Sequence, residues 1–345
     1  MVAAGVRSLL KEASLYKKAE NNYADCFLCS FRCHIAPGKR GVCGVRENRQ
    51  GALYTNVYGR LIAQNIDPIE KKPLFHFQPA SRSYSIATVG CNFRCLYCQN
   101  FDISQMPRDK KTIAGEEVDP LEVVSEALET GCSSISYTYT EPTIFFEYAR
   151  DVGALAKDKG LKNVFVTNGY MTGECIDELK ETVDAANVDI KAFTEGFYKK
   201  VCGATLAPVL KSIERMRELG IWVEITTLVI PAMNDSDEEL RNIAKWIYRT
   251  DKAMPWHISA FRPAYKMMDA PPTPAETLER AMDIGLAEGL RYVYTGNIPG
   301  LKGESTHCYN CKKLLIERRG FTVMKNLVAE GRCPFCGTAI DGVEL

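Results

Sequence analysis

The stretch Cys91-Asn-Phe-Arg-Cys95-Leu-Tyr-Cys98 places three cysteines in a C-x3-C-x2-C spacing. It follows Tyr84-Ser-Ile-Ala-Thr-Val-Gly90, a run rich in β-forming residues that predicts a strand ending at a glycine. Thiolates are the usual ligands of iron–sulfur clusters, and a four-iron cluster takes four ligands. Three cysteines therefore predict a [4Fe-4S] cluster with one iron open to a further ligand. The alternatives are a zinc loop that lacks one ligand and three buried thiols.

Composition restricts the classes of protein that the chain can belong to. Its 345 residues suffice for one large domain with appendages, and Lys+Arg equals Asp+Glu at 43 each. This balance argues against a nucleic-acid partner, since phosphate binding needs a basic surface. No run approaches the ~20 apolar residues of a membrane span, and the first residues lack the apolar stretch of a signal peptide. We expect a soluble, cytoplasmic protein without a membrane partner.

The cysteines cluster, which favours metal binding over disulfides. Of 14 cysteines, 11 fall into three tight groups. We interpret the scattered ones as small hydrophobic residues. The groups are Cys26/Cys29/Cys33/Cys43, Cys91/Cys95/Cys98 and Cys308/Cys311/Cys333/Cys336, and the scattered cysteines are Cys132, Cys175 and Cys202.

The first group lies in an N-terminal extension, residues 1–80. Cys26, Cys29, Cys33 and Cys43 have C-x2-C-x3-C-x9-C spacing. Four cysteines most often bind zinc in a closed tetrahedral site, which we favour. An auxiliary iron–sulfur cluster uses the same ligands and stays open as the alternative. His34 could replace Cys33 as a ligand.

Two elements are predicted around this group. Apolar residues at helical spacing predict a short amphipathic helix over residues 7–20. Residues 51–59 and 60–66 predict a hairpin that turns at Gly59-Arg60.

The core, residues 81–298, alternates predicted strands with predicted helices. Strict alternation predicts a parallel sheet covered by helices, and six units make a partial (β/α)6 barrel rather than a closed one of eight. The predicted strands are 83–89, 133–139, 163–167, 185–190, 222–230, 256–261 and 291–294. The predicted helices are 120–131, 143–160, 174–182, 207–219, 236–250 and 274–288.

The C-terminal segment, residues 299–345, carries two C-x2-C knuckles. They are Cys308-Tyr-Asn-Cys311 and Cys333-Pro-Phe-Cys336. Paired knuckles with this kind of separation predict a four-cysteine zinc ribbon. The bound zinc would stabilise a segment too short to bury a core of its own.

Polar residues stand at nearly every predicted strand end. Active sites of barrels collect at this carboxyl face, and buried polar groups are costly unless they have a partner. A shared ligand explains them together better than packing does, although a single pair such as Asp189 and Lys191 could be a structural ion pair. The residues that stand out are Glu141, Asn168, Asp189, Lys191, Glu224, Thr226 and His257.

The cysteine spacing and the barrel pattern together resemble the radical S-adenosylmethionine (SAM) superfamily. The resemblance implies a partial (β/α)6 radical SAM barrel, an α/β fold, in which the open iron chelates SAM. Tyr97, the aromatic residue before the third cysteine, also fits the family. An electron donor of the flavodoxin or ferredoxin type would reduce the cluster. SAM would then be cleaved to methionine and a 5′-deoxyadenosyl radical that takes hydrogen from the substrate.

Within this superfamily, the core resembles the glycyl-radical-activating branch typified by pyruvate formate-lyase activating enzyme. Matching positions imply SAM or peptide contacts for Glu141, Asn168, Asp189, Lys191 and His257. That branch carries Gly-Gly-Glu-Pro after the second strand, where this chain has Tyr139-Thr-Glu-Pro142.

With its N-terminal cysteines, Tyr139-Thr-Glu-Pro142 and Pro255-Trp-His-Ile-Ser259, the chain resembles more closely the radical SAM proteins of the AmmeMemoRadiSam system. This likeness covers about residues 20–340.

We therefore expect a radical SAM enzyme with a protein or peptide substrate, and the sequence assigns no catalytic side chain. Glycyl-radical activation is one version of this chemistry, and another protein modification is the second. Cobalamin-dependent methylation lacks an appended domain, and nucleic-acid modification lacks a basic patch. The rival from another class is a non-catalytic scaffold stabilised by three metal sites, which predicts zinc rather than iron at Cys91, Cys95 and Cys98.

Overall fold

Short antiparallel strands precede the main sheet of the protein, which a computed structural model describes over residues 10–345. One small sheet has the order β2-β3-β4 and another the order β1-β6-β5. The strands are β1 (Lys11–Glu12), β2 (Tyr16–Lys18), β3 (Ala24–Cys26), β4 (His34–Ile35), β5 (Arg46–Arg49), β6 (Ala52–Thr55) and β7 (Arg60–Leu61).

Both local predictions for this extension are wrong in the described residues. The predicted helix over 7–20 is replaced from residue 10 onward by β1 and β2, and residues 7–9 lie outside the described part. Leu15 has a φ of 56°, which no right-handed helix admits, and β1 and β2 pair with distant strands. The hairpin turns at Gln50-Gly51, between β5 and β6, and not at Gly59-Arg60. Pairing partners far along the chain outweigh local periodicity here.

The main sheet has eight strands, of which seven are parallel. Its order is β16-β15-β14-β13-β12-β11-β9-β8, and β8 is antiparallel to β9. The two-residue β10 pairs with β7 outside this sheet. The strands are β8 (Ala63–Pro68), β9 (Arg82–Ala87), β10 (Glu116–Glu117), β11 (Ser134–Tyr137), β12 (Lys162–Thr167), β13 (Ala185–Asp189), β14 (Trp222–Val229), β15 (Trp256–Ala260) and β16 (Val293–Gly296).

Helices connect successive parallel strands. Asp119 caps α3 in a capping box with Glu122, and the Ser236 side chain caps α8. In residues 10–345, no helix combines the length and apolar character that crossing a membrane requires. The helices are α1 (Phe101–Ser104), α2 (Met106–Asp109), α3 (Pro120–Glu129), α4 (Phe146–Asp158), α5 (Gly173–Leu179), α6 (Glu195–Phe197), α7 (Ala207–Glu218), α8 (Asp237–Asp251) and α9 (Ala275–Ala287).

The predicted α/β barrel is confirmed, because each predicted core strand and helix has a counterpart within a few residues. The edge strand β8 overlaps the predicted strand 60–66, but it pairs with β9 and not with residues 51–59. It contains Asn65, Asp67 and Pro68, which are poor strand formers, and its pairing with β9 supplies what its own sequence lacks. The two outer strands of the sheet are β8 and β16, so the barrel is open along one side.

A three-stranded ribbon closes the amino-terminal end of the barrel, which we call the floor. The ribbon has the order β17-β18-β19, and its Arg318 donates from Nη2 to Phe75 O at 2.7 Å. A parallel bridge also joins Phe77 to Val343. The ribbon strands are β17 (Thr306–His307), β18 (Leu314–Arg319) and β19 (Thr322–Asn326).

Candidate active site at the carboxyl end of the barrel

The three cysteines of the central motif lie in one loop directly after β9, which we call the cysteine loop (residues 91–98). Cys95 is buried, while Cys91 and Cys98 are half-buried. The Phe93 amide donates to Cys91 Sγ at 3.3 Å, and Cys98 Sγ lies 3.2 Å from Ser104 Oγ. Because the loop follows β9, it lies at the carboxyl end of the barrel, where the chemistry of this architecture is found.

Arg108 of α2 binds backbone carbonyl groups of the cysteine loop. The sequence did not identify this residue. Its Nη2 donates to Cys91 O at 2.8 Å and to Val42 O at 2.7 Å, while Nη1 donates to Phe93 O at 2.7 Å. One guanidinium thus ties the cysteine loop to the N-terminal extension beside Cys43. A lone arginine in an irregular segment carries no sequence signal for this role.

A second segment straps the other side of the cysteine loop. Arg94 and Leu96 donate their amides to Cys202 O and Val201 O, both at 3.0 Å. These acceptors lie in a π-helix over Tyr198–Cys202, a rare form that is often found at functional sites. The pKa of the Cys95 thiol is raised. The larger cause is its hydrogen bond with Cys202, and the second is burial. Cys202, which sequence analysis treated as an isolated hydrophobic residue, therefore contacts the motif.

Tyr97 is buried behind the cysteine loop. Its ring packs against Phe197 and Phe261, and its Oη lies 4.0 Å from Cys202 Sγ. Burial, with the thiols nearby, raises the pKa of Tyr97 well above its usual value. The Lys191 Nζ lies over this ring, 6.0 Å from its centroid.

Asp189 and Lys191 form an ion pair at the end of β13. Lys191 Nζ lies 3.1 Å from Asp189 Oδ2, and the lysine side chain is 13% exposed while the aspartate is 31% exposed. Burial opposes the charge on Lys191, but Asp189 and the thiols of Cys95 and Cys202 raise its pKa well above the usual value. The pair thus presents a fixed cation and a more accessible carboxylate beside the cysteine loop.

Glu141 braces the turn that follows β12. Its buried carboxylate accepts from the Thr143 amide at 3.0 Å, the Thr167 hydroxyl at 2.7 Å and the Asn168 amide at 2.8 Å. Burial raises the pKa of Glu141, while these donors oppose the rise. The glutamate therefore orders the backbone around Asn168, and its oxygens have protein partners.

Asn168 reaches the cysteine loop directly. Its Nδ2 donates to Asn92 Oδ1 at 2.7 Å and lies 3.8 Å from Cys91 Sγ. The Asn92 Nδ2 is buried and has no hydrogen-bond partner among the described residues. A polar ligand beside Cys91 would satisfy this donor, so the surroundings fit a polar group such as the methionine part of SAM.

This chain has Tyr139-Thr140 where the glycyl-radical-activating branch carries Gly-Gly, and the tyrosine strains the backbone. Tyr139 has a φ of 60°, in the left-handed region that favours glycine, at a strain of about 1 kcal/mol or more. Its hydroxyl donates to Asp67, and Lys72 Nζ lies 4.6 Å from the centroid of its ring. These contacts with β8 and the segment after it hold the ring in place.

His257 lies deeper in the barrel than the residues grouped with it by sequence. Its Nε2 is 2.6 Å from Glu224 Oε2, and its ring contacts Phe75 and Tyr294. In the described residues its contacts therefore lie on the floor side, and the structure does not bring it to the cysteine loop. The sequence indicated only its strand, because strand tilt determines how deep a residue lies. In the register of the sheet, Asp189 of β13 pairs with Thr226 of β14, and Thr226 pairs with His257 of β15.

The sulfurs of the C-terminal group come together, and the four N-terminal cysteines are near enough to affect one another's charge. In the C-terminal ribbon, the four sulfurs lie within 4.8 Å of one another, and Cys308–Cys336 and Cys311–Cys333 are both 3.7 Å apart. In the N-terminal group, burial and neighbouring thiols raise the pKa of Cys29. The buried Arg46 donates from Nη1 to Cys26 at 3.5 Å and pairs with Glu147.

Comparison with known proteins places this geometry in context. The model of the Radical SAM superfamily matches residues 85–247. An uncharacterised protein of Methanocaldococcus jannaschii is 48% identical over 335 residues, which cover 96% of this chain and 99% of the relative. The pyruvate formate-lyase-activating enzyme of Clostridium pasteurianum is 28% identical over 173 residues, which cover 49% of this chain and 72% of that enzyme.

Solved structures show the same fold. Streptococcus suis SuiB bound to S-adenosylmethionine matches with a TM-score of 0.50 and 11% identity, over 66% of this chain and 53% of SuiB. A radical SAM methyltransferase from Sphaerobacter thermophilus also has a TM-score of 0.50, with 15% identity, over 64% of this chain and 68% of that structure. At such identities the likeness concerns the barrel alone.

Proposed function

This chain belongs to the radical SAM superfamily, and we propose that it uses a [4Fe-4S] cluster on Cys91, Cys95 and Cys98 to generate a radical from SAM. The observation that carries the proposal is the convergence of three cysteines in one strapped loop at the carboxyl end of the barrel. Three thiolates leave one iron of such a cluster open. When bound, the reduced cluster would supply the electron that cleaves SAM to methionine and a 5′-deoxyadenosyl radical.

The residues around the cysteine loop have the chemistry to orient SAM. The Asp189 carboxylate is accessible and suits an ammonium group, whereas the Lys191 cation suits a carboxylate. Asn92 offers a buried amide donor that lacks a partner among residues 10–345. Tyr97 and the strap at Tyr198–Cys202 close the site from the core side, which excludes water from the reacting atoms. We do not include His257 in this group, because it contacts Glu224 near the floor.

The substrate that we propose is a protein or peptide segment. The sheet ends in two unjoined edges, β8 and β16, so the barrel has a side opening through which an extended chain can reach the mouth. Relatives named as pyruvate formate-lyase-activating enzymes support a protein substrate and an external reductant. For the reductant we propose a low-potential one-electron donor of the flavodoxin or ferredoxin type.

The test is the formation of 5′-deoxyadenosine by anaerobically reconstituted protein with dithionite and SAM, measured by mass spectrometry. We expect the product from the wild type and from Cys132→Ala, which changes a buried cysteine outside the three groups. We expect none from Cys95→Ala, because the cluster loses one of three ligands. Product from Cys95→Ala at the wild-type rate, or a wild type that takes up zinc and no iron, would exclude the proposal in favour of the scaffold.

A further inference from the structure

The two four-cysteine groups of this chain differ in the spacing of their sulfurs. Tetrahedral zinc with bonds of about 2.3 Å holds its sulfurs about 3.8 Å apart. The C-terminal ribbon matches this spacing, with two sulfur pairs at 3.7 Å and all four sulfurs within 4.8 Å. Among the described residues, no three sulfurs of the N-terminal group lie within 4.8 Å of one another. The N-terminal group, like Cys91, Cys95 and Cys98, thus lacks the close sulfur spacing that the ribbon shows.

We propose that Cys26, Cys29, Cys33 and Cys43 hold a second [4Fe-4S] cluster, while the C-terminal ribbon holds zinc. In a cubane each thiolate binds a different iron, so its sulfurs stand farther apart than those around one ion. The same four thiolates can take either group, and the spacing of the sulfurs distinguishes them. This second cluster goes beyond the radical chemistry proposed above, since it concerns a separate set of ligands.

The surroundings of the N-terminal group suit a cluster of negative net charge. The Arg46 guanidinium is buried and donates from Nη1 to Cys26 Sγ at 3.5 Å. Hydrogen bonds to ligand sulfurs adjust the reduction potential of a cluster. The Arg46 Nε is buried without a hydrogen-bond partner among the described residues, so a further acceptor fits there. Glu147 pairs with the same guanidinium and keeps its position fixed.

The N-terminal group lies against the cysteine loop. Arg108 donates to Val42 O, next to Cys43, and to Cys91 O, at 2.7 and 2.8 Å. A Cβ built on Gly90 would lie 3.4 Å from Cys43 O, so the two ligand segments approach each other closely.

Aromatic rings also connect the two groups. Phe31 lies between two N-terminal ligands, and its ring centroid is 4.9 Å from that of Tyr170. Tyr170 is in turn 5.1 Å from Phe93, which lies between Cys91 and Cys95. The two clusters would therefore be neighbours within one packed region of the protein.

This arrangement assigns the second cluster the role of an electron relay, a role that rests on the proposed function. An external donor of the ferredoxin or flavodoxin class would give one electron to the second cluster. That electron would then pass to the oxidised cluster at Cys91, Cys95 and Cys98, and the second cluster would return to its oxidised state. One cluster loses and the other gains a single electron, with no bond formed or broken.

The identity of the second cluster is tested on the full chain with Cys91→Ala, Cys95→Ala and Cys98→Ala combined, which removes the first cluster. After anaerobic reconstitution with iron and sulfide, we expect about four irons and about one zinc per chain, with an electron paramagnetic resonance signal on dithionite reduction. About two zinc ions and no iron would overturn the proposal. The wild type gives the same decision without a variant, since we expect about eight irons and about one zinc instead of about four irons and about two zinc ions.

A matched control separates ligands from other cysteines. Cys132→Ala and Cys175→Ala change buried cysteines outside the three groups, and the iron content should stay at the wild-type value. Cys29→Ala with Cys33→Ala should lower it by about half. These counts do not depend on 5′-deoxyadenosine, so the second cluster and the radical chemistry can fail separately.

The relay has its own readout in the fully reduced wild type. Two reduced clusters in neighbouring positions interact magnetically, so the wild-type spectrum should be broader than the sum of the spectra of the two cluster-deficient variants. A spectrum equal to that sum would overturn the relay.

Discussion

Single buried side chains hold the floor of the barrel together, and His76 is an informative one. Its Nδ1 lies 2.6 Å from Asp341 O, and its Nε2 lies 2.5 Å from Tyr294 Oη. Burial lowers the pKa of His76 to about 4, although Glu224 opposes the effect. The ring is therefore neutral in the folded protein at pH 7, donating through one nitrogen and accepting through the other.

We expect the free energy of unfolding to fall as the pH drops from about 6.5 to about 4. In this window the unfolded histidine binds a proton and the folded one does not, so acid favours the unfolded chain, whereas above pH about 6.5 neither state binds it. The pKa difference between 6.5 and about 4 corresponds to on the order of 3 kcal/mol. Urea unfolding at several pH values measures this dependence. The free energy of unfolding should change less with pH for His76→Gln than for the wild type, and an equal change would contradict this role.

At this scale, the sequence identified the residues whose types carry chemistry. Spacing alone singled out the three cysteine groups, and the position of Asp189 and Lys191 at a strand end singled out that pair. Arg108, Arg46 and Cys202 were missed because each acts through a partner far away in sequence. Cys202 contacts Cys95 across a separation of more than one hundred residues, and no local pattern reports such a contact.

At the scale of elements, the cysteine loop and the N-terminal extension meet at Gly90. The residue has a φ of 106°, and a Cβ there would lie 2.7 Å from Val45 Cγ1. Glycine permits both the backbone conformation and the close approach. Gly160 also has a positive φ, 78°, but a Cβ there would meet nothing within 4 Å. Comparing substitutions at the two positions therefore separates the cost of a positive φ from the cost of a steric clash.

We expect Gly90→Ala to destabilise the protein more than Gly160→Ala does. Both substitutions place an alanine at positive φ, but only Gly90→Ala also forces Val45 and the extension away, which adds about 1–3 kcal/mol. Denaturant unfolding of the two variants measures the difference. Equal losses would mean that the extension does not press on the cysteine loop.

Elements of the barrel were predictable because their hydrophobic periodicity matches their environment along the whole segment. The small strands of the extension were not, since β1 and β2 have only two and three residues and depend on partners elsewhere. For the edge strand β8, the sequence predicted a strand over 60–66 but not its partner. Its pairing with β9 is set by the fold and not by its own composition.

At the scale of the whole molecule, Arg318 links the ribbon to the floor of the barrel. Its guanidinium is buried, donating to Phe75 O and Thr306 Oγ1 at 2.7 Å each, and its Nε lies 3.6 Å from Glu70 Oε1. Burial raises the pKa of Glu70, whereas Arg318 opposes the rise. Removing one partner of such a pair leaves the other buried without compensation.

We expect Arg318→Met to destabilise the protein by about 3–5 kcal/mol, because Glu70 and Phe75 O lose a buried donor. Arg319→Met is the matched control, since the neighbouring arginine is exposed and should change stability by about 0.5 kcal/mol or less. Urea unfolding measures both. A small effect of Arg318→Met would mean that the ribbon docks through its apolar residues alone.

The contacts of the floor also set an order of events during synthesis. His76 precedes β9, the first parallel strand, yet its partner Asp341 lies 265 positions later. Contacts that span so much chain form after local ones, because the intervening loop must first be ordered. While the ribosome extends the chain, the contacts of His76 with Asp341 and of Phe75 with Arg318 are therefore absent until the C-terminal segment has been made.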